Sequence, residues 1–282
     1  MSSDNIRLNL NFGCQKNQFM TILIKRHLIF LILLGLSTSN VQAKDLFFIL
    51  AGQSNMVGQG NASELAAAYH RVPSNVEFYY NGYKAPLNRF KHFGPEIGFA
   101  HEISRYFPHD KIKLIKFAVG GTSLFAWDPI WNANKAHSTR NGSAGPLFKK
   151  LIKTVNIQFD SNNDKLSGVL WMQGETDAKY LTAAKQYAGN LNRFVSALRS
   201  KLHSPNSVFI MGSVNPPLNL FPSTPIVQQA QRASASRIRN LRLVKTNDLS
   251  KRGDHLHYDT AGQLELGKRF ARAYIGRQVA RN

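Results

Sequence analysis

The stretch Phe48-Ile49-Leu50-Ala51-Gly52-Gln53-Ser54-Asn55-Met56-Val57-Gly58-Gln59-Gly60 decides how the rest of the chain is read. Leu46 to Ala51 is a continuous apolar run with the length of a buried strand. Gly52 ends the run, and Gln53, Ser54 and Asn55 put three polar side chains on a tight corner. A serine there has two readings. Its side chain caps the helix that follows, or its hydroxyl is presented at a strand end as a nucleophile. The corner is not the Gly-x-Ser-x-Gly elbow of lipases, because Met56 stands where the second glycine belongs.

Outward from this strand, strand-like and helix-like segments alternate. Strands are predicted over 111–119, 166–172, 207–214 and 241–245. Helices are predicted over 96–107, 146–159, 181–202, 225–239 and 261–274, the first three carrying apolar residues at helical spacing. Five such repeats define an α/β fold, a mostly parallel sheet with helices on both faces. Function in such sheets gathers where strands end at their carboxyl side. The predicted loops there are Gly52-Gln53-Ser54-Asn55, Gly120-Gly121-Thr122-Ser123, Gln173-Gly174-Glu175-Thr176-Asp177 and Asp254-His255-Leu256-His257. Residues 61–93 and 125–145 read as long irregular insertions, the kind of loop that binds ligands. No second domain is evident, so 44–282 is expected to form a single α/β domain.

The N-terminal 43 residues have another character. Lys25, Arg26 and His27 precede the apolar run Leu28–Leu36, and Val41-Gln42-Ala43 offers a small-residue cleavage site. That is the plan of a secretory signal peptide, cut after Ala43. The run is nine residues, against about 20 for a membrane span, so no stable span is expected after leader removal. Translation is expected to start at Met20 rather than Met1. The only cysteine, Cys14, precedes the cut. An exported chain without cysteine holds no disulfide, no thiol nucleophile and no thiolate zinc site. The formal net charge is +20. Removing Arg7, Lys16, Lys25, Arg26 and Asp4 with the leader leaves +17. The basic residues are scattered without a nucleic-acid motif, so no specific nucleic-acid partner is expected.

A serine hydroxyl is a weak nucleophile until a base removes its proton, and the base needs a third group to orient it. Asp254 and His257, three apart before the last helix, supply both, with His255 as the competing base. Oxyanion donors are available in the Ser54 and Gly120-Gly121 amides and the Gln173 carboxamide.

Gly52-Gln53-Ser54-Asn55-Met56, Gly120-Gly121-Thr122-Ser123, Trp171-Met172-Gln173-Gly174-Glu175-Thr176-Asp177 and Asp254-His255-Leu256-His257 together resemble the ordered blocks of the SGNH (GDSL-like) hydrolases. The version is that of the sialate O-acetylesterase-like and carbohydrate esterase family 6 branch, which includes acetylxylan esterases. The resemblance covers nearly the whole chain after residue 43. It implies a three-layer α/β/α sandwich, no metal or other cofactor, and hydrolysis of O-acetyl esters on sugars. It makes Ser54 the nucleophile, His257 the base and Asp254 its orienter. Ser54, Gly121 and Gln173 would form the oxyanion hole, with Gln53, Asn55, Gly120, Glu175 and Asp177 in support. Gln173 stands where the wider superfamily has an asparagine donor.

Trp127 and the segment from Lys91 to Glu96 are expected to touch substrate, an acetylated xylan, sialic acid or other glycan. Two rival readings remain. His255, His257 and Asp259 could hold a metal, joined by His92, His101 or His137. Alternatively, Trp127, Trp131 and Tyr180 could stack on sugars in a non-catalytic binding protein.

Overall fold

The computed structural model describes residues 43–88 and 91–279. The predicted leader, apart from Ala43, lies outside them. The first strand, β1 (Asp45–Gly52), is buried without a break from Phe47 onward. Each such apolar side chain removed from water stabilises the fold by about 1.5–3 kcal/mol. A single helical turn follows, α1 (Ser54–Val57). Along the chain then come β2 (Gly60–Asn61), β3 (Val76–Tyr80), β4 (Tyr83–Lys84), β5 (His92–Phe93), α2 (Glu96–Tyr106) and β6 (Lys111–Ala118). Next are α3 (Ala133–His137), α4 (Leu147–Val155), β7 (Leu166–Met172), α5 (Glu175–Lys179) and α6 (Leu181–Lys201). The last elements are β8 (Val208–Gly212), α7 (Thr224–Arg237), β9 (Leu241–Val244) and α8 (Thr260–Val279).

Seven strands form one sheet in the order β4-β3-β6-β1-β7-β8-β9. Every pair in it is parallel except β3 with β4. The predicted mostly parallel sheet with helices is what the structure shows. Alternation along β1 sends neighbouring side chains to opposite faces. Phe48 meets Phe99 of α2 and Tyr274 of α8 edge-on, with ring centroids 4.9 and 4.8 Å away. Phe47 meets Phe159 on the other face, where Phe194 of α6 covers Trp171 of β7 at 4.6 Å. Helices thus lie on both faces of one apolar layer.

The irregular insertion expected over 61–93 contains β3, a sixth parallel strand. It escaped the sequence reading because Val76-Glu77-Phe78-Tyr79-Tyr80 is short and half-polar. Only the two-residue β4 flanks it outside, so Glu77 and Tyr80 are half-buried and the apolar run is broken.

The topology places the site. From β1 the chain crosses toward β3, and from β6 it crosses the other way to β7. Connections leaving adjacent strands in opposite directions open a crevice at their carboxyl ends. Here β1 ends at Gly52 level with Ala118 of β6 and Met172 of β7. Ser54, Gly120 and Gln173 follow directly from those three ends.

Candidate active site

Gly52 makes the corner possible. Its φ is +143°, and a Cβ built there would lie 2.1 Å from the Met172 carbonyl oxygen. The Gln53 N–H donates to that same oxygen at 2.9 Å, so β7 holds the chain as it leaves the sheet. Ser54 then sits half-exposed at the first residue of α1.

His257 Nε2 lies 3.0 Å from Ser54 Oγ, and His257 Nδ1 lies 2.7 Å from Asp254 Oδ2. An ionised carboxylate only accepts, so Nδ1 carries the proton and Nε2 is left to accept from the serine hydroxyl. Asp254 Oδ1 also accepts the backbone N–H groups of Leu256 and His257 at 2.9 and 2.8 Å. Partial burial works to raise the Asp254 pKa, but hydrogen bonds from the His257 backbone, the His257 ring and the Leu256 backbone outweigh it and lower the carboxyl to about 2. The aspartate therefore both shapes the turn and orients the imidazole.

The loop bearing His257 is tied down on both sides. Asn55, buried behind Ser54, accepts the Tyr258 N–H at 3.0 Å and donates to the Leu256 carbonyl at 3.3 Å. Its Nδ2 also donates to Glu175 Oε1 at 2.9 Å. Thr260 Oγ1 accepts the Asn61 N–H at 2.9 Å. Burial raises the Glu175 pKa against that hydrogen bond from Asn55.

The second loop is held from beneath. Asp177, fully buried, accepts the Leu124 N–H with both oxygens, at 3.1 and 3.0 Å. Burial raises its carboxyl to about 7, and hydrogen bonds from Gln173 and the Leu124 backbone limit the rise. Asn141 donates to the Gly121 carbonyl at 3.0 Å and accepts the Ser123 N–H at 2.8 Å. Gln53 Oε1 accepts the N–H groups of Gly174 and Thr176 at 3.4 and 3.3 Å. Gly120 lies beside the serine, since a Cβ on it would sit 3.8 Å from Ser54 Cβ. Gly121 is exposed with φ +68°. Among the described residues, no acceptor within the fold takes the Ser54 or Gly121 N–H.

Three expected site residues fall elsewhere. Gln173 is fully buried, and its amide hydrogens go to the Thr122 carbonyl at 3.0 Å and to Asp177 at 2.5 Å. An amide has two hydrogens, so Gln173 braces the loop under Gly121 rather than offering a donor to substrate. Trp127 has no exposed surface. It packs between Phe117 and Trp171, and its indole N–H donates to Thr122 Oγ1 at 3.0 Å. An aromatic of that size in a loop flanking the sheet is drawn into the core by the area it buries. Glu96 is equally buried, in an ion pair with Lys116 at 2.7 Å. Within the segment 91–96 only Lys91 and His92 are exposed.

The rival constellations do not converge. Asp259 Oδ1 accepts the Gly262 N–H at 2.8 Å as the cap of α8. His255 points to solvent, and both nitrogens of His257 face Asp254 and Ser54. Among the described residues no three His, Cys, Asp or Glu side chains form a group that could hold a metal. Trp131 and Tyr180 are half-buried against Phe125, Ala136 and Ala183. Asn141, which the sequence reading missed, lies in an insertion with no local signal, and only its contacts reveal it.

The doubly wound sheet with this loop rim is the fold of the SGNH-type carbohydrate esterases. Residues 44–276 match the family model of carbohydrate esterases described as sialic acid-specific acetylesterase, and the chain belongs to that family. A protein named "Probable carbohydrate esterase At4g34215" from Arabidopsis thaliana is 25% identical over 252 residues, covering 81% of this chain and 89% of that one. Its crystal structure superposes with a TM-score of 0.69, over 83% of this chain and 98% of that chain, at 22% identity. NanS superposes at 0.61 with 14% identity, over 84% and 98% of the two chains. XAC1771, a carbohydrate acetylesterase from Xanthomonas citri, superposes at 0.64 with 17% identity, over 83% and 56%.

Proposed function

We propose that the protein is an exported serine esterase that removes O-acetyl groups from a carbohydrate through an acetyl-enzyme on Ser54. The observation that carries this reading is the chain Ser54 Oγ–His257 Nε2–Asp254, at 3.0 and 2.7 Å, in a carbohydrate esterase family member. His257 Nε2 takes the hydroxyl proton as Ser54 Oγ attacks the acetyl carbonyl carbon. The oxyanion rests on the Ser54 and Gly121 N–H groups, which have no acceptor of their own in the described fold. The tetrahedral species collapses, the bond to the sugar oxygen breaks, and His257 returns the proton to that oxygen. Water, deprotonated by His257, then cleaves the acetyl-enzyme to acetate and restores the serine.

The test is acetate release from a panel of acetylated sugars. Wild type releases it, and folded Ser54→Ala loses at least about a thousandfold. A retained rate in Ser54→Ala would overturn the reading. Export rests on the leader pattern of residues 1–43. Protein recovered outside the cytoplasm should begin at Lys44.

A further inference from the structure

Lys116 is an ammonium in the middle of a parallel strand, 2% exposed, in an ion pair with Glu96 that is just as buried. Burying both charges costs several kcal/mol per ion, and an apolar pair of similar volume packs as well. Packing therefore does not explain it. The second bond of the lysine does: Nζ donates to the Val57 carbonyl at 2.7 Å. Val57 closes the single turn that begins at Ser54. Burial pushes the lysine pKa down, and the neighbouring Glu96 carboxylate opposes that shift.

The segment carrying Glu96 backs the same turn. Glu96 Oε1 accepts the Gly94 N–H at 2.9 Å. A Cβ on Gly94 would lie 2.7 Å from the Met56 carbonyl oxygen, and a Cβ on Gly58 would lie 2.2 Å from the Phe93 carbonyl carbon. The backbones touch, and Gly60 pairs with Phe93 in the small β2–β5 ladder. Lys116 belongs to β6, and four residues later that strand delivers Gly120 beside Ser54. One side chain thus spans from the strand that places the oxyanion loop to the turn that places the nucleophile.

We infer that Lys116, with Glu96 as its counter-charge, is a positioning residue that holds the Ser54 turn in register with the Gly120–Gly121 loop through the Val57 carbonyl. The inference rests on the esterase reading above for its kinetic readout only. A displacement near 1 Å at a reacting group lowers turnover by about a hundredfold.

The experiment compares Lys116→Met with the paired variant Lys116→Met/Glu96→Gln. The single variant strands a buried carboxylate and melts well below wild type. The pair leaves no charge behind, keeps an acceptor for the Gly94 N–H, and melts between the single variant and wild type, since the new amide N–H and the Val57 carbonyl lose their partner. In the pair kcat falls roughly ten- to a hundredfold with KM little changed. Hydrogen exchange at the Met56, Val57 and Gly58 amides, which close the turn onto Gln53 and Ser54, speeds at least about tenfold, while β1 and β7 stay protected. Wild-type kcat and wild-type exchange in the paired variant would overturn the inference. If wild-type protein itself releases no acetate, the esterase reading falls, and the exchange measurement still decides the role of Lys116.

Discussion

Asn55 holds Tyr258 by its backbone: Asn55 Oδ1 accepts the Tyr258 N–H at 3.0 Å. The residue after the proposed nucleophile thus fixes the residue after the proposed base, 203 positions along the chain. Asn55→Ala leaves the Tyr258 N–H and the buried Glu175 carboxyl without that partner. Unfolding in urea should show a loss of about 1–3 kcal/mol. Steady-state kinetics should show kcat falling more than tenfold while KM moves little.

Gly52→Ala tests the corner. The new methyl would meet the Met172 carbonyl oxygen at 2.1 Å, at a φ of +143° that L-residues avoid. Backbone strain and overpacking together should cost about 2–5 kcal/mol, read from denaturation midpoints. Soluble expression should fall accordingly.

The buried carboxyls set a pH dependence of stability. Burial raises Asp177 from 3.8 to about 7, and burial also raises Glu175. Between pH 3.8 and about 7 the unfolded chain has lost the Asp177 proton while the native protein keeps it. Stability from this group is full below pH 3.8, declines as pH rises to about 7 and is level above. Asp254 acts in the opposite direction and in another window. Lowered to about 2, it contributes stability above pH 3.8 that is lost as pH falls toward 2. Melting curves of Asp177→Asn should therefore lose part of the wild-type decline between pH 4.5 and 7, and Asp254→Asn should not alter that decline.

Trp127 separates packing from substrate contact. Trp127→Ala removes a ring with no exposed surface and should cost about 3–5 kcal/mol. Trp127→Phe retains most of that packing and loses only the bond to Thr122 Oγ1. KM of the phenylalanine variant for an acetylated sugar should stay within about twofold of wild type, since the ring is covered by Phe117, Trp171 and Phe194.

Much of the fold was legible because its signals are local. The sequence pattern predicts a helix over 181–202, and α6 spans Leu181–Lys201; it predicts a strand over 166–172, and β7 spans Leu166–Met172. Their apolar periodicity survives any tertiary context. The strand β3 was not legible, because a near-edge position leaves Glu77 and Tyr80 half-exposed and breaks its pattern. Trp127, in a predicted insertion, and Glu96, at the start of a predicted helix, were expected to face ligand because local sequence does not say which side of a segment faces the core.

Sequence alone determined the strands β1, β6, β7, β8 and β9 and the long helices between them, the polar glycine-bearing loops after them, and the Asp254–His257 pair, since three residues on one turn place carboxylate and imidazole together. Tertiary structure alone decided that Ser54 lies 3.0 Å from His257 Nε2, that Gln173 turns inward to Asp177, and that Lys116 reaches Val57. Periodicity and spacing are short-range quantities. Which side chains meet across a parallel sheet depends on strand order and on burial, which act between segments far apart in the chain.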